Sequence, residues 1–319
     1  MNLQQDTMNS PQLDASVVIC AHTEERWDAL AAAVSSIASQ SRAPRETVVV
    51  VDHNAELLRR LRATFPRLRV VENRGARGSA AARNEGIAAT TAPIVAFLDD
   101  DAMADPDWLD CLLRCYDDAD VFGVGGSVAP LWEQDRPRGF PKEFDWVVAC
   151  TYRGMPEHRA EVRNLLGANM SFRRDALERA GGFEIGRVGM RPLGCDDTDF
   201  CIRASRAIPG GKIVYDPSAK VVHHVPGHRA RWKYFRARCY AEGLAKAAIA
   251  HRVGAGAGLA SERSHAVREL PRAVFRGIGD ALTGDPFGLV RAVAVVGGFI
   301  ITATGFVVGT VLPTRALAS

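Results

Sequence analysis

Three groups of residues in this 319-residue chain are of types that do chemistry. The first is Asp99, Asp100 and Asp101, three consecutive carboxylates directly after the apolar run 94–98. Like charges at the end of a buried strand repel and raise one another's pKa, so the cluster needs a counter-charge. Mg²⁺ or Mn²⁺ suits it, because these ions prefer oxygen ligands and are shared between carboxylates and substrate phosphates. A calcium loop does not fit, since its later ligand positions are missing. A phosphatase-type acidic motif is a weak rival, because Met103 stands where that motif needs Thr or Val. The second group is Asp196, Asp197 and Asp199 in "CDDTDF", about a hundred residues downstream at an expected helix start. Asp199 reads as a helix-capping acid. One of the first pair can act as a general base on an attacking hydroxyl. The third group is His223, His224 and His228 in "VVHHVPGHR". Neutral imidazole ligates Mn²⁺, and a histidine can also contact phosphate. Arg229, Arg231 and Lys233 follow, suited either to a departing diphosphate or to a solvated basic face.

The elements that must position these groups alternate. "SVVIC" (16–20), "ETVVVVD" (46–52), "RLRVVEN" (67–73) and "PIVAFLD" (93–99) read as strands. Helices are expected over 24–39, 54–65 and 78–91, and another after Asp105, with Asp105 as its cap and Pro106 in its first turn. Such alternation predicts an α/β fold, a mostly parallel sheet flanked by helices. Ligands bind such sheets outside the carboxyl ends of the strands. Asp52 and Asp99–Asp101 both fall at such ends. Beyond residue 130 the pattern loosens. A short apolar piece and a helix are expected over 163–183, an acidic loop and helix over 193–207, and two short strands in "GKIVYDPSAKVVHHV". A long basic helix is expected over 229–250.

Composition narrows the function. The net charge of +3 gives no case for a nucleic-acid partner. Between Arg203 and Arg252, however, eleven Lys/Arg face only Asp216 and Glu242, which favours phosphate or an acidic membrane surface. Seven scattered cysteines without a CxxC pair suit a reducing compartment. Residues 1–14 lack a signal-peptide core and read as a disordered lead-in. Residues 253–264 read as a linker, followed by a basic amphipathic stretch (265–282) and 21 uncharged residues (292–312). That length can cross a bilayer. Arg268, Arg272, Arg276 and Arg291 precede it and only Arg315 follows, a bias that puts the body in the cytoplasm. Gly297, Gly298, Gly305 and Gly309 weaken one continuous helix, and the alternative is a buried or membrane-embedded hairpin of helices.

Over residues 15–250 the chain resembles the family 2 glycosyltransferases, inverting enzymes of the GT-A fold that use nucleotide sugars. The motifs are "SVVICAHTEE", "VVVVDHN", "GSAAARNEGI", "FLDDDA", "GANMSFRRDALERAGGF", "CDDTDFCIR" and "VVHHVPGHR". The resemblance implies a donor half (15–130) and an acceptor-binding, catalytic half (131–252). It implies donor contacts from His22, Glu24, Asp52, Arg83, Asp99 and Asp100, and places Asn84 beside the nucleotide. Acceptor contacts are implied for Gly167, Asn169 and Asp196, metal ligation for Asp101 and His223, and the catalytic base is Asp197. Asp196 stands where the family usually has Glu, and Thr23 where Asn is common. The expected activity is metal-dependent sugar transfer with inversion, from a nucleotide-diphosphate sugar (UDP-sugar first, GDP- or dTDP-sugar otherwise) to a lipid-linked or glycan acceptor. The expected place is the cytoplasmic face of the cell membrane, in cell-envelope or polysaccharide assembly. A nucleotidyltransferase of sugar-nucleotide synthesis would share the sheet and acidic cluster, but it needs an early Gly-rich loop that "AHTEERWD" does not provide. A non-catalytic nucleotide-sugar binder is the rival from another class.

Overall fold

The structure, a computed structural model, describes residues 13–184, 187–188, 191–192, 195–253 and 265–311. Most of the expected lead-in (1–14), of the linker (253–264) and the last eight residues lie outside the described residues.

The first hundred residues alternate strand and helix as the apolar runs dictate. Strands β1 (Ala15–Ala21), β2 (Glu46–Asp52), β3 (Arg69–Asn73) and β4 (Ile94–Asp99) are separated by helices α1 (Trp27–Ala38), α2 (Ala55–Thr64) and α3 (Ser79–Ala88). The chain continues through β5 (Ala102–Ala104), α4 (Trp108–Arg114), β6 (Val121–Trp132), β7 (Ala160–Glu161), β8 (Asn169–Arg173) and α5 (Arg174–Arg179). A short antiparallel pair, β9 (Arg187–Val188) and β10 (Arg191–Pro192), precedes α6 (Asp196–Ala207), β11 (Lys212–Val225) and α7 (Trp232–Val253). Two further helices follow, α8 (Leu270–Leu282) and α9 (Phe287–Val311).

One sheet carries the order β3-β2-β1-β4-β8-β6-β11-β5, with β7 beside β11. The pairings β1–β2, β1–β4, β2–β3 and β6–β11 are parallel, and β8 runs against both β4 and β6. The long strands therefore share one direction except β8, as a mostly parallel sheet requires. Helices α1, α2 and α4 cover one face through Leu30, Ile37, Leu57, Leu61 and Leu112. Helices α3, α5 and α6 cover the other through Ala80, Leu177 and Phe200. With both faces covered, β1 and β4 are buried along almost their whole length, which is why they read as continuous apolar runs. Strand β1 pairs with β2 on one side and β4 on the other. The strand order reverses there, and a crevice opens at the carboxyl ends.

Three local expectations change. The helix after β5 starts at Trp108 with no side-chain cap; Asp105 instead accepts the Trp108 N–H through its carbonyl (3.0 Å). Gln40 and Ser41 hold the Asp105 and Pro106 carbonyls, which keeps this backbone out of the helix. Residues 212–225 form one strand rather than two, kinked between Asp216 and Val221 where Pro217 cannot donate to the ladder. The glycines of α9 do not break it. A Cβ at Gly305 would lie 2.3 Å from the Tyr240 carbonyl, and one at Gly243 would lie 2.1 Å from the Thr302 carbonyl. Gly298 meets Phe235 and Gly309 meets Ala247, so α7 and α9 run side by side in the same direction with touching backbones. Small residues allow such close helix packing, which offsets the roughly 1 kcal/mol helix penalty of each glycine. The opposite side of α9 exposes Leu289, Val293, Val296, Ile300 and Val307, and α8 exposes Phe275, Ile278 and Leu282. By length and composition, α9 is the one described helix able to cross a membrane.

Candidate active site

A cavity of about 550 Å³ lies at the switch point. It is lined by Cys20 and Ala21 at the end of β1 and His22 after it, by Asp52 at the end of β2, and by Asp99 at the end of β4 with Asp100 and Asp101 after it. Asp52 accepts the Asn73 side-chain amide (2.6 Å) and the Gly78 N–H (2.9 Å), so it braces the loop that opens α3. Gly78 has φ +130° there, a conformation that excludes most L side chains. His53 also bends through positive φ (51°), turning the chain sharply at the rim. Burial and the neighbouring Arg26 hold the His22 imidazole below its usual pKa.

The acidic cluster is tied by cations. The Arg26 guanidinium donates to Asp100 Oδ1 and Asp101 Oδ2, each at 2.8 Å. His223 Nε2 lies 3.0 Å from Asp101 Oδ1. Its position follows from the antiparallel pairing of β11 with β5, which sets His223 opposite Ala102, and from the His224 N–H donating to the Asp101 carbonyl (2.8 Å). Burial pushes the Asp100 carboxyl up to about 7 despite Arg26, with Asp101 and Asp99 adding to the rise. Burial acts on Asp101 as well, but the His223 hydrogen bond and the cations Arg26 and Arg229 bring it down to about 2. Asp99 is raised, by burial first, against the pull of Arg83.

Asp99, Asp101 and His223 each offer a ligand atom, and these atoms all lie within 4.8 Å of one another. Asp100 Oδ2 and Arg229 Nε are buried there without a hydrogen-bond partner. Two carboxylates and one imidazole form a donor set suited to Mn²⁺ or Mg²⁺, and the orphaned Asp100 oxygen leaves acceptor capacity facing the same place.

Arg83, Asp99, Ala149 and Arg238 also line a second cavity of about 350 Å³. Asp196 and Asp197 stand at its inner end, at the first turn of α6. Asp196 accepts from Arg83 (2.5 Å) and Ser79 (3.2 Å). Asp197 Oδ2 accepts the Gly167 N–H (3.0 Å) and Oδ1 the Thr198 N–H (2.6 Å). A Cβ at Gly167 would sit 3.0 Å from Arg83 and 3.3 Å from Asp197, so only glycine fits comfortably. Burial, then the adjacent Asp196, pushes the Asp197 carboxyl up to about 6. Much of the remaining wall is apolar, with Phe144, Trp146, Leu165, Leu166, Leu270 and Phe299. Along one wall, α7 presents Arg238, Glu242 and Lys246 as ion pairs spaced one turn apart.

Most of the expected residues therefore meet. His22, Asp52, Arg83 and Asp99–Asp101 line the first cavity together with His223, and Gly167, Asp196 and Asp197 line the second. Glu24 and Asn169 do not reach either cavity. Asn169 is fully buried; it accepts the Trp108 indole N–H and donates to the Ser127 and Ala219 carbonyls, which ties the start of β8 to β6 and to β11 beyond it. Asn84 also lies outside both, clasping the Phe183 backbone. Asp199 sits in the first turn of α6 as expected, but it binds Arg203 and Arg252 instead of capping the helix. Arg229 lines the first cavity, whereas Arg231 and Lys233 do not. Sequence reasoning missed Arg26, Tyr234 and Arg238. Arg238 carried a signal in its Arg238–Glu242–Lys246 spacing; Arg26 carried none beyond its place in the first loop.

The sequence profile of glycosyl transferase family 2 matches residues 16–181. The chain is 35% identical over 243 residues to the glucosyl-dolichyl phosphate glucuronosyltransferase of Haloferax volcanii, covering 73% of this chain and 76% of that one. It is 27% identical to the succinoglycan biosynthesis protein ExoM of Rhizobium meliloti (74% and 75% covered). It is 30% identical to the pre-mycofactocin glycosyltransferase of Mycobacterium tuberculosis, over 58% of this chain and 38% of that one. Among solved structures, the mannosyltransferase PcManGT from Pyrobaculum calidifontis, in complex with GDP-Man and Mn²⁺, superposes with a TM-score of 0.55 at 20% identity, covering 90% of this chain and 86% of that one. GalNAc-T7 with UDP, GalNAc and Mn²⁺ gives 0.52 at 19% identity, covering 67% and 43%. At these identities the two structures speak for the GT-A fold.

Proposed function

The chain belongs to glycosyltransferase family 2, and from that premise we propose how its two cavities divide the work. The enzyme is a glycosyltransferase of the GT-A fold. The first cavity takes the nucleotide-diphosphate sugar, with a UDP-sugar the first donor to test ahead of GDP- and dTDP-sugars. His22 and Asp52 hold the nucleotide end. Arg83, Arg229 and Arg238 face the diphosphate, where negative charge grows as the leaving group departs. Asp99, Asp101 and His223 hold Mn²⁺ or Mg²⁺, with Asp100 beside them. When bound, the cation supplies Lewis-acid neutralisation of the diphosphate.

The second cavity takes the acceptor. Its hydroxyl oxygen forms a bond to the anomeric carbon as the bond from that carbon to the diphosphate breaks on the opposite face. The proton passes to Asp197. Each Asp197 oxygen is aimed by one backbone N–H and keeps a lone pair free for the hydroxyl. A carboxyl raised to about 6 by burial and by Asp196 is still ionised at neutral pH and is a better base than an ordinary aspartate. Asp196 and Gly167 shape the acceptor side. Residues 15–130 act mainly as the donor half and 131–252 as the acceptor half.

The observation that carries this reading is the common wall of Arg83, Asp99, Ala149 and Arg238. It brings the acidic cluster and Asp197 to the two sides of one junction. NMR of the glycosidic linkage in the product tests it: the linkage should be inverted relative to the donor, and a retained configuration would overturn the single displacement.

The apolar wall of the second cavity is built partly by α8 (Leu270) and α9 (Phe299), helices that also expose large apolar side chains. This supports a lipid-linked acceptor of cell-envelope or polysaccharide assembly, taken from a membrane on which α8 and α9 rest. The seven free cysteines and the arginines before α9 support the cytoplasmic face.

A further inference from the structure

A third cavity, of about 330 Å³, lies away from the two just described, between residues 136–142, Arg153 and helices α8 and α9. Arg136, Arg138, Lys142, Arg153, Arg276 and Arg291 line it. Their carboxylate partners are Asp145, Glu143, Asp280 and Asp285, so six cations face four anions. The sharing is uneven. Buried Glu143 serves both Arg153 (3.4 Å) and Arg276 (2.8 Å). Asp285 serves Arg291 (2.8 Å) and, at 3.5 Å, Arg138. Lys142 is exposed and forms no salt bridge among the described residues. Two positive charges are thus left without a matching carboxylate in a concave, arginine-rich site, which suits a phosphate oxyanion.

The position of the cavity says which phosphate. The Arg138 guanidinium lies over the Phe287 ring, 4.3 Å from its centre, at the start of α9. Val295 of α9 closes the inner wall, and its neighbours Val293 (71% exposed) and Val296 face outward. On α8, Arg276 enters the cavity while the adjacent Phe275 is 73% exposed. The helices that carry Arg276 and Arg291 into the cavity thus also carry the exposed apolar side chains, and arginine stems lie along apolar surface while their heads stay polar. A free phosphate makes no use of those apolar side chains; a lipid, with its tails against them and its phosphate in the cavity, uses both.

We propose that the cavity lined by Arg136, Arg138, Lys142, Arg153, Arg276 and Arg291 binds the phosphate headgroup of an anionic phospholipid and fixes how the enzyme sits on the membrane. The proposal rests on the reading of α8 and α9 as a membrane-facing platform. The site holds an ordinary lipid, separate from the acceptor cavity, and so takes no part in the transfer itself.

Co-flotation of the full chain with vesicles of phosphatidylcholine, with and without phosphatidylglycerol, tests it. The wild type should bind both and prefer the anionic vesicles by about tenfold or more, on the usual contribution of two cations near an anionic surface. The double variant Arg138→Ala/Lys142→Ala should lose that preference and keep its binding to phosphatidylcholine. A control with the same charge loss at exposed cations outside the cavity, Arg67→Ala/Lys220→Ala, should keep the preference. An equal loss in both double variants would overturn the site in favour of general surface charge. Equal wild-type binding to both vesicles would overturn the headgroup site while leaving the membrane platform standing. No wild-type binding to either would overturn the platform and the site with it. Glycerol phosphate that raises the melting temperature as much as anionic vesicles do would reassign the cavity to a soluble phosphate compound.

Discussion

Arg26 is one of the cations that make three adjacent aspartates tolerable in the protein itself, beside Arg83, Arg229 and His223. It spans Asp100 and Asp101 from a loop more than seventy residues away in sequence. Removing it leaves the cluster more negative, so Arg26→Ala should tighten Mn²⁺ binding without nucleotide on the order of tenfold, as electrostatics between partly buried charges allow. Paramagnetic resonance of free Mn²⁺ measures this directly; weaker binding would mean that Arg26 organises the site instead of competing for it. Asp197 gives a second prediction at this scale. A general base works only when unprotonated, so a carboxyl pushed up to about 6 should make kcat/KM fall as the pH drops through about 6 and stay level above it. An acidic limb near 4 would mean that the base sits in a more polar setting than Asp197 does. At this scale the sequence was legible where chemistry clusters along the chain, as in Asp99–Asp101 and Asp196–Asp197. It was not legible where a long side chain reaches across the fold. Arg26 and Arg238 join the site through tertiary geometry, and Asn169 leaves it because its amide is used up tying β8 to its neighbours.

Among the elements, the strands were the easiest to foresee. Both faces of the sheet are covered, so β1, β2 and β4 appear as near-continuous apolar runs rich in Val and Ile. β8 running antiparallel between β4 and β6 was not foreseeable, because its few residues carry no mark of direction. The glycines of α9 show the same limit from the other side. Their intrinsic preference argues against a continuous helix, yet their use is to bring α9 onto the backbone of α7. This gives an element-level prediction. Gly305→Val would drive a side chain toward the Tyr240 carbonyl, now 2.3 Å from where a Cβ would sit. Prying α9 from α7 should lower stability by roughly 1–3 kcal/mol, the usual cost of overpacking. It should also disturb the acceptor cavity through Phe299 and Thr302 while donor binding persists. A variant that melts normally and turns over normally would show that the α7–α9 contact is incidental.

For the whole molecule, α8 and α9 supply both the exposed apolar side chains and part of the apolar wall of the second cavity. Helix α9 satisfies the length of a span, but it lies along α7, which carries Arg236, Arg238, Glu242 and Lys246 beside it. A platform resting in the interface leaves those charges in the protein body, whereas a crossing would draw them into hydrocarbon. Three exposed positions test this without touching the core. Phe275→Ser/Leu282→Ser/Val293→Ser should reduce vesicle binding at least tenfold, given the apolar area removed, and leave turnover of a short-chain, water-soluble acceptor near wild type. Full vesicle binding by this variant would place the membrane contact elsewhere.

The proposed transfer depends most on Asp197 taking the proton at the junction of the two cavities. Calorimetry of donor binding alongside steady-state turnover of Asp197→Asn tests it most directly. Donor affinity in the presence of Mn²⁺ should stay within about twofold of wild type, because Asp197 lies on the acceptor side, and turnover should fall by about 10²–10⁴-fold. Turnover within a few-fold of wild type would contradict the assignment.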